Sequence, residues 1–330
     1  MRTSIEVGTD EATAAFRRDV IEGLTQVPKR IGSRYFYDAE GDRLFQAIMA
    51  SPDYYVTRAE EEILRDQTDA VLEALVNGHA RFSLFELGAG DGTKTKHLLR
   101  RALDQGRDPL YRPIDISEHV LDELGTALKK ELPTLRFQAE QGEYFEAIRR
   151  TFTDPGEAKA VIFLGSNIGN LTRERAIELL KGVGDHLGPN DRFLVGFDRK
   201  KDPAIILRAY NDRAGITRDF NLNLLRRMNR ELGTDFDLDG FVHAPVYCPA
   251  TGRALSYIVS TRDQVVHMPG VDAPIVFKAW EALHTEISQK YDRTMIEDLA
   301  HHAGLRITTT FTDDKGYFTD VVFAPNNGRT

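Results

Sequence analysis

The chain has 330 residues, more than one typical domain, so two packed units are the default expectation. Its 41% hydrophobic and 28% charged residues are those of a soluble globular protein, and a formal net charge of −8 argues against a nucleic-acid backbone as partner. A single cysteine, Cys248, excludes an internal disulfide, the polar start of the chain does not read as a leader peptide, and no apolar run approaches the roughly 20 residues of a membrane span, which together predict a cytoplasmic protein.

Residues 1–25 read as a polar amphipathic helix, followed by a turn-rich, aromatic segment from Pro28 to Gly41 and a short helix over 44–49. Tyr37, Tyr54 and Tyr55 lie close together in loop-like chain, either packing an edge of the core or forming a lid over a small-molecule pocket. A long helix is predicted over 59–76. A different rhythm then begins. Strands are expected at 82–87, 111–116, 135–139, 160–165 and 192–197, with helices at 94–103, 118–131, 143–151 and 173–187 between them. Five strands alternating with four helices predict a parallel, doubly wound sheet covered on both faces.

The rhythm breaks again from 199 to 290. Helices over 201–214 and 219–232 precede short antiparallel strands at 241–247, 253–261, 264–268 and 275–277. A helix at 293–303 leads to two last strands, 306–311 and 317–323, which read as a hairpin added to one sheet edge. Residues 61–198 plus 291–330 are therefore expected to form the parallel domain, and 1–60 plus 199–290 a second, α+β lobe.

The chain is organised around the run from Phe82 to Lys96, where an apolar strand ends in Gly88, Gly90 and Gly92 and passes into a helix. Glycines fit there because backbone without a Cβ can approach a ligand, beside the free N–H groups of a helix N-terminus. The spacing is G-x-G-x-G, so the dinucleotide fingerprint G-x-G-x-x-G is not met. In open parallel sheets ligands bind outside the carboxyl ends of the strands, and three further groups are expected there. Asp115 ends the second strand and suits the hydroxyls of a ribose. Glu143 and Tyr144 follow the third and suit a purine ring. The run from Ser166 to Asn170 follows the fourth, although Asp, Ser and Asn are also common helix caps.

Seven strands, a terminal antiparallel hairpin, the glycine turn and the following acid resemble the class I S-adenosylmethionine-dependent methyltransferases. The flanking motifs narrow the resemblance. Phe36-Tyr-Asp, Pro52-Asp-Tyr-Tyr, Thr57-Arg-Ala-Glu-Glu-Glu-Ile-Leu, Glu86-Leu-Gly-Ala-Gly-Asp-Gly-Thr-Lys-Thr, Phe163-Leu-Gly-Ser-Asn-Ile-Gly-Asn-Leu, Arg208-Ala-Tyr-Asn and His284-Thr-Glu-Ile-Ser are similar to the histidine Nα-methyltransferases of ergothioneine biosynthesis. The resemblance implies that Gly88, Gly90, Lys94, Asp115, Glu143 and Tyr144 hold the methyl donor, S-adenosylmethionine. It implies that Tyr54, Asn170 and Tyr210 hold the carboxylate and amine of an amino acid, with Tyr37 near the amine, and that Glu286 and Ser288 meet the imidazole. Tyr37 and Tyr54 are the residues expected to orient the attacking amine. One departure stands out: where the family places a methionine against the imidazole, this chain has Ser256.

The expected activity is trimethylation of L-histidine to hercynine by a monomer acting on a free amino acid. The alternatives are an N-methyltransferase of a tryptophan- or tyrosine-like amino acid, and a non-catalytic module that binds a nucleoside or a protein. No metal is expected. The acidic run from Asp235 to Gly240 begins like a calcium loop, but the twelfth position is Val246 instead of glutamate. His301 and His302 are expected to face solvent, and Cys248 has no evident base to make it a nucleophile.

Overall fold

The computed structural model describes residues 6–142, 144–152 and 157–326. The chain divides into two compact units, one comprising the chain up to Tyr55 with Lys201–Ser288, the other Val56–Lys200 with the chain from Gln289 onward. Among the described residues no helix is long and apolar enough to cross a membrane.

The first unit opens with α1 (Glu6–Thr25), a single 3-10 turn (Ser33–Phe36) and α2 (Ala39–Ala50). Helix α2 starts five residues before the expected Leu44 because Asp38 caps it: the Asp38 side chain accepts the Gly41 N–H at 2.7 Å and an Asn223 amide N–H at 2.8 Å.

The second unit runs α3 (Val56–Asp66), α4 (Thr68–Val76), β1 (Arg81–Leu87), α5 (Thr95–Asp104), β2 (Asp108–Asp115), α6 (Glu118–Glu131), β3 (Arg136–Phe137), β4 (Glu140–Gln141), α7 (Tyr144–Thr151), β5 (Ala158–Phe163), α8 (Arg173–Gly184) and β6 (Arg192–Asp198). The first unit then resumes with α9 (Pro203–Tyr210), α10 (Ile216–Leu232), β7 (Phe241–Cys248), β8 (Arg253–Ser260), β9 (Gln264–Val266), β10 (Ile275–Phe277) and β11 (Ala282–Gln289), which lies in it up to Ser288. The chain closes in the second unit with α11 (Arg293–Ala303), β12 (Leu305–Thr312) and β13 (Phe318–Pro325).

The large sheet has the order β12-β13-β6-β5-β1-β2-β3, with β4 also paired to β2. Strands β1, β2, β3, β5 and β6 are parallel, and β13 runs antiparallel between β6 and β12. Central β1 is buried from Phe82 to Leu87 because helices cover both faces, which explains its near-continuous apolar sequence. Strand order reverses between β1 and β5. The loops after these two strands therefore flank the crevice where doubly wound sheets bind ligands.

Two elements of this unit differ from expectation. The single helix over 59–76 is two helices, broken where Gln67 takes φ −114° and sends its amide Nε2 to the Thr312 carbonyl at 2.9 Å. The strand over 135–139 is reduced to two-residue β3 and β4 at the sheet edge, where side chains are only partly buried and short pairing limits an open edge.

In the first unit α1, α2 and α10 pack Phe16, Val20, Leu24, Leu44, Phe220, Leu224 and Met228 against Ile258 and Leu283 of a three-stranded sheet ordered β11-β8-β7. Strands β9 and β10 form a separate antiparallel pair. Strand β11 escapes a pattern reading because buried positions along it include Thr285 and Ser288. Thr285 is satisfied there: its hydroxyl donates to Asn221 Oδ1 at 2.9 Å and lies 3.0 Å from the Ser256 carbonyl.

Candidate active site

The turn after β1 holds three glycines with positive φ, +71° at Gly88, +53° at Gly90 and +63° at Gly92. Their surroundings differ. A Cβ on Gly88 would lie 2.6 Å from the Tyr144 hydroxyl, whereas a Cβ on Gly90 would meet nothing within 4 Å. The backbone is thus packed at Gly88 and open at Gly90. Asp115, at the end of β2, faces the same turn: its Oδ2 accepts the Gly90 N–H at 3.5 Å and its Oδ1 the Ser117 N–H at 3.1 Å. Tyr144 opens α7 and sets its ring edge-on to Phe163 at 5.6 Å. Gly88, Gly90, Asp115 and Tyr144 are therefore brought together, while Glu143 lies outside the described residues.

Lys94 behaves differently from the others. Its ammonium pairs with Glu60, a carboxylate of α3 with no exposed surface, which also accepts the Gly165 N–H at 2.9 and 2.8 Å. Room for Glu60 comes from Gly196 of β6, where any Cβ would overlap its Oε1. Asp320 of β13 pairs across from Gly196, and neither of its buried carboxyl oxygens has a hydrogen-bond partner. Burial, then the negative charge of Glu60, pushes Asp320 well above the usual carboxylate range and outweighs the opposing pull of Lys94. Glu86 is a third buried acid. It accepts the Thr95 hydroxyl at 2.7 Å and the Tyr111 hydroxyl, yet burial raises its pKa to about 7.

None of these three acids was expected as a site residue. Glu60 reads as part of a solvated Glu-Glu-Glu run. A signal did exist for Glu86 and Asp320, since each is a carboxylate inside an otherwise apolar central strand.

After β5, Gly165 and Ser166 take positive φ of +76° and +55°, and the Ser166 hydroxyl accepts the Asp198 N–H at 3.0 Å. A 3-10 turn (Asn167–Asn170) follows, with Asn170 half-buried at its end.

In the first unit two side-chain pairs converge on β11. Tyr210, the last residue of α9, donates its hydroxyl to Ser288 Oγ at 2.7 Å. Ser256 of β8, 1% exposed, donates to Glu286 Oε2 at 3.3 Å. Tyr37 is 40% exposed, its ring edge-on to Phe45 and Phe220 at 5.6 and 5.8 Å. Tyr54 is partly buried against the same core, and Tyr55 is buried with its hydroxyl accepting from Lys201 Nζ at 2.8 Å. The acidic run at 235–240 is engaged internally: Asp235 accepts the His267 N–H at 2.6 Å, and Asp237 caps the 3-10 turn over Leu238–Gly240. His301 and His302 are exposed in the last turn of α11.

A parallel sheet that reverses between β1 and β5, with an antiparallel β13 inserted before its last strand and a glycine turn facing an acid at the reversal, is the class I S-adenosylmethionine-dependent methyltransferase fold. The open backbone at Gly90 and the carboxylate of Asp115 fit the donor's nucleoside. The chain belongs to the family of histidine-specific, S-adenosylmethionine-dependent methyltransferases, whose model matches residues 16–325.

It is 37% identical over 313 residues to a histidine N-alpha-methyltransferase of Mycolicibacterium smegmatis, covering 94% of this chain and 95% of that one. It is 35% identical over 320 residues to the Mycobacterium tuberculosis protein of the same name, covering 96% and 98%. A third relative, ergothioneine biosynthesis protein 1 of Neurospora crassa, is 30% identical over 323 residues, which are 96% of this chain and 35% of that longer protein. The protein is an S-adenosylmethionine-dependent amino-acid N-methyltransferase.

Proposed function

We propose that the enzyme transfers three methyl groups to the α-amine of L-histidine, giving hercynine on the route to ergothioneine, and that it acts as a cytoplasmic monomer. The observation that carries this reading is the arrangement on β11, where Glu286, partnered by Ser256, and Ser288, partnered by Tyr210, lie two residues apart. An imidazole offers one N–H donor and one acceptor nitrogen. A carboxylate can only accept and a serine hydroxyl can do either, so the two side chains together complement a neutral imidazole.

In this reading Gly88, Gly90, Lys94, Asp115, Glu143 and Tyr144 hold the donor, which supplies an electrophilic sulfonium methyl when bound. Tyr54, Asn170 and Tyr210 hold the amino acid's carboxylate and amine. The amine must be neutral to attack, and a free α-amino group titrates near 8, so a modest environment suffices. Tyr37 and Tyr54 orient it, directly or through water, by accepting its N–H, and the proton released after each transfer passes to solvent. Each attack forms an N–C bond as the C–S bond breaks, with no covalent enzyme intermediate. The contribution of the chain is then mainly alignment.

The test is mass spectrometry of products from the purified protein with S-adenosylmethionine and a mixture of the twenty amino acids. A gain of three methyl groups on histidine supports the reading. Methylation of another amino acid would transfer attention to the Ser256 pocket, and no product would overturn it.

A further inference from the structure

The loop after β5 is held in an unfavourable backbone conformation. Gly165 and Ser166 are consecutive left-handed residues, and a non-glycine residue stays there only when its surroundings enforce it. Two contacts do so: the Asp198 N–H on the Ser166 hydroxyl, and the Gly165 N–H on both oxygens of Glu60. The same Glu60 carboxylate takes the ammonium of Lys94, which stands at the start of α5 directly after the glycine turn.

We propose that Glu60 is a positioning residue for methyl transfer: one buried carboxylate holds the Gly165 amide and the Lys94 ammonium, and so ties together the loops after β5 and β1 on either side of the strand-order reversal. The inference rests on the reading of these loops as the donor site.

The surroundings suit that role. Gly196 leaves the space that the carboxylate fills, so the site is built for a side chain of this reach. Burial by itself would lower the pKa of Lys94, but the charge and hydrogen bond of Glu60 outweigh it and hold the ammonium above its ordinary value. Asp320 does not compete for Lys94 as a hydrogen-bond acceptor, because neither of its buried carboxyl oxygens has a partner.

Titration calorimetry of the full chain with S-adenosylmethionine and S-adenosylhomocysteine, with steady-state kinetics, tests this on Glu60→Gln, Glu60→Asp, Lys94→Met and the Glu60→Gln/Lys94→Met double variant. Glu60→Gln keeps an oxygen for Gly165 but removes the charge that Lys94 needs. Donor Kd and KM should rise about 10- to 100-fold, with Glu60→Asp intermediate. In the Lys94→Met background the same change should add much less, because both act through one contact. Strictly additive losses overturn the route through Lys94. Donor Kd within about twofold of the parent in both Glu60 variants overturns the proposal, whatever happens to the melting temperature. If Glu60→Gln fails to fold, Glu60→Asp and Lys94→Met carry the same test. A parent protein that binds no donor at all would instead overturn the donor-site reading itself.

Discussion

Ser256 on β8 donates its hydroxyl to Glu286 Oε2 on the adjacent strand β11 at 3.3 Å. The serine that stands where the resemblance leads one to expect a methionine is therefore joined to the carboxylate proposed to meet the imidazole. A methionine could not make that bond, because a thioether has no proton to donate.

Glu286→Ala removes a charged acceptor and should raise the Kd for histidine on the order of 10- to 100-fold, from about 1.5–3 kcal/mol for a hydrogen bond to a charged group. Donor affinity should stay within about twofold. Calorimetry with each ligand separately checks this, and equal losses for both ligands would contradict the assignment of Glu286.

Ser256→Ala should weaken histidine binding less, by roughly 2- to 10-fold, since a neutral hydroxyl contributes about 0.5–1.5 kcal/mol. The loss should disappear in a Glu286→Ala background. A cycle of the four proteins, read as KM for histidine, gives the coupling; additivity would show that Ser256 acts independently of Glu286.

Gly88→Ala and Gly90→Ala should separate packing from ligand approach. At Gly88 the new methyl meets the Tyr144 hydroxyl at 2.6 Å in a left-handed backbone, so the melting temperature should fall along with donor affinity. At Gly90 it enters open space, and the stability loss should be limited to about 1–2 kcal/mol of backbone strain. Donor affinity should nevertheless fall at least as far in Gly90→Ala, because the methyl projects where the nucleoside is proposed to lie. Unchanged donor binding in Gly90→Ala would place the ligand elsewhere.

Burial of Glu86 gives the second unit a distinctive pH response. Its folded pKa is raised from 4.5 to about 7, so the folded state binds more protons than the unfolded state between those values. The stabilisation is full below pH 4.5 and is lost as pH rises through about 7, a change on the order of 3 kcal/mol. Glu86→Gln, which can still accept from Thr95, should remove this slope and leave the protein more stable than its parent above pH 7. Denaturant melts from pH 5 to 8 measure it; parallel curves for parent and variant would show that Glu86 does not titrate in this range.

His243 on β7 should act in the opposite sense. Burial lowers its pKa from 6.5 to about 4, against the attraction of Asp212, and its Nε2 is buried without a hydrogen-bond partner. The unfolded state binds the extra proton, so stability is full above pH 6.5 and falls as pH drops towards 4. A His243→Gln variant should flatten that acid limb. Fluorescence-monitored unfolding between pH 4 and 7 checks the difference in slope.

Period and punctuation were enough to read the parallel sheet, the glycine turn at 88–92 and Asp115, because these signals are local: β1 is buried on both faces and must be apolar, and a tight strand-to-helix turn needs residues tolerant of positive φ. The same logic recovered α11 and β10 to the residue. It failed on β11, where Thr285 and Ser288 are buried and hydrogen-bonded across the fold, so that hydrophobic alternation vanishes in the strand that carries Glu286.

The sequence by itself determined the fold class, the place of the glycine turn and, through long motifs, the family. Only the tertiary structure decided the partners: that Lys94 and Gly165 share Glu60, that Ser256 hydrogen-bonds Glu286, and that Asp320 is buried with both oxygens unpaired. The physical reason is range. Turn and strand preferences act over a few residues, whereas a carboxylate on α3 meets an amide 105 positions away only after the sheet has assembled around it.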